Sequence, residues 1–188
     1  MNIITDRLPE TVDFGGGKYP IKTDFKVWLK FHEIITDKSK SPAEKFTDAV
    51  LCCFDSQKCK KLPDSYEETM SVLFSFFAGE PKEKKAVKSQ EKVFDFTEDS
   101  EYIFTSFLAE YGIDLSESSM HWYKFLALLG GLSENSQLKK VIAWRSVNLA
   151  DIENPKRRNF YRKMKEFYSL KNSALNEKGL AEELSKAF

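Results

Sequence analysis

The chain has 188 residues, of which 41% are hydrophobic, so it is long enough and apolar enough to bury the core of one domain. Its 29 basic residues balance 29 acidic ones, which excludes a general attraction to nucleic acid or to an anionic membrane and leaves only local patches as electrostatic sites. The N-terminus lacks the apolar segment of a secretory signal, and no run of about 18 apolar residues is present, so we expect a cytoplasmic protein without a membrane span.

A β-hairpin is predicted close to the N-terminus. Residues 11–14 alternate polar and apolar side chains, and Gly15-Gly16-Gly17 permits the positive φ angles of a tight reversal before the β-favouring residues 18–21. Two strands alone are only marginally stable, so we expect this N-terminal region, residues 1–22, to pack on helices. The glycines join two strands and do not precede a helix, so they do not predict a phosphate site.

Amphipathic helices are predicted in the first helical part, residues 23–79. Thr23 can cap the first helix, and Ser41-Pro42-Ala43-Glu44 is a capping box with proline at the first helical position of the second. A third helix is predicted to begin at Asp64 or Ser65.

Residues 80–92 have a different composition. They contain one β-branched residue and no aromatic residue, so they cannot bury enough surface to become ordered. We interpret them as a mobile linker, with an exposed helical extension as the alternative.

The second helical part is predicted at residues 93–170. Thr97 can cap a helix that ends at Gly112, where glycine suits the left-handed conformation after a helix end. Ser118-Ser119 can cap the most apolar helix. The remaining predicted helix starts are Ser136 and Asn154.

Together these elements predict a mainly α protein, a single domain over residues 1–188. We expect a compact bundle of about six to eight helices with the hairpin packed on it. The end of the chain, residues 171–188, is interpreted as a weakly anchored tail.

No motif for catalysis or for cofactor binding is visible. The acids Glu98, Asp99 and Glu101 lie in a predicted first turn, where the helix dipole favours negative charge, so they do not predict a metal site. The cysteines lack CxxC spacing and the two histidines are distant in sequence, so we expect reduced thiols and neither a zinc site nor a Cys–His nucleophile. We therefore expect no enzyme, no cofactor and no metal. The three cysteines are Cys52, Cys53 and Cys59.

Basic residues are concentrated between residues 139 and 171, where ten of them stand against three acids. In the last predicted helix, Arg158, Arg162 and Lys165 share one face at i, i+4 and i+7. With Arg145, this stripe is a candidate for holding phosphates or an acidic protein. A solvated face opposite the core explains the stripe as well.

A second candidate binding region is the start of the apolar helix. His121, Trp122 and Phe125 are our candidate partner contacts there, because a helix that is apolar on nearly every side is either central in the fold or covered in part by a partner. Ordinary core packing predicts the same pattern, with His121 as a packed or capping side chain.

Several segments are similar to those of a known family. The most specific are Tyr111-Gly112-Ile113-Asp114-Leu115, Met120-His121-Trp122-Tyr123-Lys124-Phe125 and Ala127-Leu128-Leu129-Gly130-Gly131-Leu132, although Tyr123 stands where we would expect a second tryptophan. On these residues the chain resembles the phage and prophage tail-module family named after gene product fifteen. Weaker matches are Leu8-Pro9, Tyr19-Pro20-Ile21-Lys22-Thr23-Asp24-Phe25, Phe94-Asp95-Phe96 with Asp99, Trp144-Arg145 and Asp151-Ile152.

The resemblance implies a role in building the tail. Genes of this family lie just upstream of the tape-measure gene in phages of Gram-positive hosts, a position typical of assembly chaperones. We therefore expect a chaperone or accessory factor in the cytoplasm of the bacterial host, with the tape-measure protein, other tail-module proteins and itself as partners. The alternatives are a structural component of the virion tail and a nucleic-acid-binding module that uses the basic C-terminal helices. The family brings no catalytic residues to this chain.

Overall fold

The computed structural model describes residues 2–59, 65–79 and 92–170. These residues form a two-stranded antiparallel sheet, seven α-helices and one short 3-10 helix, which confirms the predicted mainly α fold with an N-terminal hairpin. Apart from Lys92, the predicted linker lies outside the described residues, as does the predicted tail. In the part of the chain that the structure describes, no helix is long and apolar enough to cross a membrane.

The described residues form ten elements of secondary structure. In chain order they are β1 (Thr11–Phe14), β2 (Gly17–Pro20), α1 (Phe25–Thr36), α2 (Pro42–Cys53), α3 (Tyr66–Ala78), α4 (Ser100–Tyr111), α5 (Trp122–Gly131), α6 (Gln137–Ser146), the 3-10 helix (Leu149–Asp151) and α7 (Pro155–Phe167).

Backbone contacts divide the chain into two units. Unit 1 comprises Met1–Ala86 and Ser118–Gly130, and unit 2 comprises Val87–Glu117 and Gly131–Phe188. Unit 1 therefore contains the hairpin, α1 to α3 and nearly all of α5, whereas unit 2 contains α4, α6 and α7. The description as a single domain stays a prediction.

The hairpin closes through a two-residue turn at Gly15 and Gly16, whose φ angles of 55° and 74° lie in the region that glycine adopts without strain. The strands pair in the register Phe14 to Gly17, and the Phe14 ring stacks on Tyr19 with centroids 4.3 Å apart. Both rings meet Phe54 edge-on at the end of α2, which confirms that the hairpin packs on the helical part of unit 1.

The core of unit 1 is built from large aromatic side chains. Trp28 and Trp122 are fully buried, and each indole N–H has a backbone acceptor: Trp28 Nε1 donates to the Lys22 carbonyl at 3.0 Å and Trp122 Nε1 to the Phe77 carbonyl at 2.9 Å. A tryptophan can be buried at little cost only when this polar group is paired. The core of unit 1 therefore consists of packed aromatic rings, including two tryptophans whose indole N–H groups are hydrogen-bonded.

The helix starts in unit 1 follow local side-chain chemistry. The capping box at Ser41 is confirmed, with Glu44 Oε2 accepting the Ser41 backbone N–H at 2.8 Å. The predicted cap Thr23 is wrong by one residue, because the Asp24 carboxylate accepts the Lys26 backbone N–H at 2.9 Å. Thr23 instead accepts the Trp122 backbone N–H through its carbonyl at 2.7 Å.

Unit 2 buries an aliphatic and aromatic core between its helices. Ile103 and Phe107 of α4 are buried, as are Leu138 and Val141 of α6. Ser106 helps to join α4 and α6, because its Oγ accepts the Leu138 backbone N–H at 3.2 Å. The predicted caps Ser136 and Asn154 are confirmed, and Gly112 ends α4 in the left-handed conformation at φ 65°.

Candidate functional site

The three aromatic candidates lie in and beside the core of unit 1. Trp122 and Phe125 are fully buried. Phe125 stacks on Phe25 with centroids 4.9 Å apart, and Trp122 stacks on Phe77 at 5.2 Å. These contacts explain the apolar pattern by packing, and partner binding through these rings would require unit 1 to open. A role for them in partner binding stays a prediction.

His121 is the capping residue of α5. Its Nδ1 accepts the Tyr123 backbone N–H at 3.1 Å, which requires the proton on Nε2, and Nε2 donates to the Pro9 carbonyl at 2.9 Å. Burial lowers the pKa of His121 below its ordinary value of 6.5, against the opposing effect of the Pro9 hydrogen bond. The predicted cap Ser118-Ser119 is wrong, because the Ser119 hydroxyl donates to Asp24 instead.

Arg145 is buried in unit 2, with 7% of its surface exposed, and donates four hydrogen bonds. Two of them form a bidentate ion pair with Asp99, at 2.7 Å from NH1 to Oδ2 and 2.8 Å from NH2 to Oδ1. The others reach the Val93 carbonyl at 3.0 Å and the Tyr168 carbonyl at 2.5 Å. The guanidinium thus joins the segment before α4, α6 and the end of α7.

The carboxylates of this network were not predicted to have this role. Asp99 is fully buried, and its Oδ2 also accepts the Asp95 backbone N–H at 3.0 Å. Asp95 in turn accepts the backbone N–H groups of Thr97 and Glu98 and pairs with Lys92 at 2.6 Å. Asp95 therefore caps the turn that leads into α4, and the predicted cap Thr97 is wrong.

A sequence signal for the ion pair exists in the helical spacing. Asp99 lies four and eight residues before the buried Ile103 and Phe107, so it continues the apolar stripe of α4. Arg145 lies seven and four residues after the buried Leu138 and Val141, so it continues the apolar stripe of α6. An acid and an arginine that each occupy a core-facing position indicate a buried pair.

The three residues of the predicted basic stripe, Arg158, Arg162 and Lys165, lie in different environments. Arg158 Nε donates to the Ile152 carbonyl at 2.8 Å, so this side chain folds back on the segment before its own helix. Arg162 and Lys165 line an open depression of about 420 Å³. Glu166 lines the same depression and brings a negative charge to it. The stripe therefore does not present three equivalent cations to a partner.

A different face of α7 is the more accessible one. Phe160 is 51% exposed and Phe167 is 78% exposed, and the two lie seven residues apart on one side of the helix. Lys156 and Lys163 are exposed at intervening positions of the same side. We call these four residues the α7 stripe.

One thiol of unit 1 is chemically distinct. Cys52 is partly buried, and its pKa is lowered to about 7 by a hydrogen bond from Cys53 and by the nearby Lys22. Cys53 is buried, and its pKa is raised by the same hydrogen bond and by desolvation. Among the described residues, no group of three or more His, Cys, Asp or Glu side chains could hold a metal ion.

Comparison with known proteins places the chain among bacteriophage proteins. The model of one family, described as Bacteriophage Gp15 protein, matches residues 4–170. The chain belongs to this family, so the resemblance is confirmed at the family level. No match was found among curated proteins or among solved structures.

Proposed function

We propose that this protein acts in phage tail morphogenesis as an assembly chaperone or accessory factor that binds the tape-measure protein, without enzymatic activity. The observation that carries the proposal is the family match over residues 4–170, together with the tail-module gene position that the resemblance implies. That position stays a prediction.

The surface of α7 supports a role in protein binding. A protein that keeps a long helical client in solution needs apolar side chains that the client can cover, within polar surroundings that keep the free protein soluble. Phe160 and Phe167 are exposed aromatic side chains on a helix whose other residues are mostly charged or polar. Aromatic side chains are enriched among the residues that contribute most to protein–protein affinity.

Co-expression with the tape-measure protein of the same phage tests the proposal. We expect the tape-measure protein to remain soluble and to copurify with this chain, whereas it should aggregate when it is expressed alone or with an unrelated helical protein. A tape-measure protein that aggregates equally in all three cases would contradict the proposal.

Purified virions distinguish the two tail-related roles. A chaperone leaves the particle before it is complete, so we expect quantitative mass spectrometry to find this chain absent from mature tails. A fixed number of copies in each tail would instead identify a structural component.

A further inference from the structure

The α7 stripe has the regular spacing of a helix-binding face. Lys156, Phe160, Lys163 and Phe167 stand at i, i+4, i+7 and i+11, so a single side of α7 alternates cation and aromatic ring. The two aromatic positions are about 10 Å apart along the helix axis. Single exposed hydrophobic residues are common on protein surfaces, but two in line with flanking lysines form an extended feature.

The α7 stripe is not the side of α7 that packs against the rest of unit 2. Tyr161 and Tyr168, which directly follow Phe160 and Phe167 in the chain, are half-buried. Each lies about 100° around the helix from the α7 stripe. Tyr168 packs against α6 of unit 2, because its ring stacks on Trp144 with centroids 4.8 Å apart.

The charge of α7 specifies the chemistry of an occupant. The helix carries six basic residues and one acid, so its field attracts a negatively charged partner. Lys156 and Lys163 flank Phe160, whereas Arg158 is engaged with the Ile152 carbonyl. These two exposed lysines are thus interleaved with the aromatic rings, whereas Arg157 and Arg162 are exposed on other sides of α7.

We propose that the α7 stripe docks an acidic amphipathic helix of a protein partner. Leucine-like residues at i, i+3 and i+4 of that helix cover Phe160 and Phe167, and its glutamates or aspartates pair with Lys156 and Lys163. The proposal rests on the proposed function in that it describes the partner segment for the same tail-assembly role. A helix is favoured over single-stranded nucleic acid because the two rings lie about two helical turns apart, too far for successive stacked bases.

Fluorescence anisotropy with the full chain and defined probes tests the docking site. The main probe is a labelled amphipathic helical peptide of leucine and glutamate, about 18 residues long so that it spans the stripe. The comparison probes are a peptide with lysine in place of each glutamate and a single-stranded oligothymidine. Circular dichroism of every variant verifies that α7 still forms.

Two pairs of variants separate the apolar part of the site from its charge. The first pair compares the double substitution Phe160→Ser/Phe167→Ser with Leu108→Ser, which removes an exposed hydrophobic side chain elsewhere in unit 2. Replacement of both aromatic anchors should weaken binding of the glutamate peptide at least about tenfold, whereas Leu108→Ser should bind as the unmodified chain does.

The second pair compares Lys156→Glu/Lys163→Glu with Lys124→Glu/Lys140→Glu, which makes the same change of charge at exposed positions outside α7. Reversal on the stripe should exchange the peptide preference, so that the lysine peptide binds more tightly than the glutamate peptide. The control pair should retain the original preference, because its charges lie outside the docking site.

Three results with the full chain and its variants would overturn the proposal. They are equal binding of both peptides by the unmodified chain, equal affinity of the stripe variants and their controls, and oligothymidine binding that falls steeply with salt while neither peptide binds. A chain that ends at Leu170 should bind the glutamate peptide as the full chain does. Binding only by the shortened chain would show that residues 171–188 occupy the stripe, which also overturns the proposal.

The peptide assay and the co-expression assay can fail separately. The anisotropy measurement contains no phage tail protein, so its failure removes the docking site and leaves any copurification with the tape-measure protein in place. Peptide binding without copurification would retain the docking site and exclude the tape-measure protein as the partner.

Discussion

Replacement of Arg145 by methionine should destabilise unit 2 strongly. Methionine has a similar length and no charge, so the change removes the guanidinium while it keeps part of the packing volume. It leaves the buried Asp99 carboxylate without its bidentate partner, and it removes the donors to the Val93 and Tyr168 carbonyls. The substitution therefore tests a network and not a single contact.

The magnitude follows from the burial of both partners. Asp99 is fully buried and Arg145 is 7% exposed, so neither charge is well screened by water. Removal of one partner from a buried ion pair costs about 3–5 kcal/mol, because the remaining charge has lost its compensation. The loss of two donors to backbone carbonyls places our expectation for Arg145→Met in the upper part of that range.

Urea unfolding followed by circular dichroism measures this free energy. The matched control is Arg157→Met, which removes an exposed arginine from α7 and should change the unfolding free energy by less than about 0.5 kcal/mol. The double variant Asp99→Asn/Arg145→Met should be more stable than the sum of the two single changes predicts, by about 1–3 kcal/mol, because it leaves no unpaired charge. A cost of less than about 1 kcal/mol for Arg145→Met would refute the reasoning.

Three further predictions concern single residues. Gly112→Ala should cost about 1 kcal/mol in thermal unfolding, since φ is 65° and a new Cβ would meet no neighbour; an unchanged Tm would contradict this. NMR titration should give His121 a pKa below 6.5 in the folded chain. The unfolded chain then binds more protons than the folded chain, so the free energy of unfolding falls as the pH drops below about 6.5. The substitution His121→Gln should reduce that loss. Near neutral pH, iodoacetamide should label Cys52 before Cys53 and Cys59, whose pKa values are raised. Mass spectrometry measures the order of labelling, and labelling of Cys53 or Cys59 first would contradict the prediction.

The elements that sequence predicts well are those specified by local chemistry. The capping box at Ser41, the caps Ser136 and Asn154, and the left-handed Gly112 all depend on residues within one helical turn. The hairpin is similar, because Gly15 and its neighbours determine the turn and hence the register. In each case the energy that selects the conformation comes from the segment itself.

The predictions that failed depend on contacts between distant segments. Thr23 and Asp24 are both good capping residues, and the Trp122 backbone N–H, nearly a hundred positions away, engages the Thr23 carbonyl and leaves Asp24 as the cap. Ser119 is drawn away from α5 by the same aspartate, so His121 becomes the cap. Local preference cannot decide between adjacent candidates when a tertiary hydrogen bond favours one of them.

The basic stretch between residues 139 and 171 shows why a count of charges does not describe a binding surface. Arg145 forms an ion pair with a buried carboxylate, and Arg158 donates a hydrogen bond to a backbone carbonyl, so both stabilise the fold. Lys156, Arg157, Arg162 and Lys163 remain exposed on α7, but of these only Lys156 and Lys163 lie on the α7 stripe. An acidic partner at the α7 stripe therefore meets two cations, and the exposed aromatic rings add apolar contact. Because the two rings lie about two helical turns apart, too far for successive stacked bases, the α7 stripe favours a protein partner over nucleic acid.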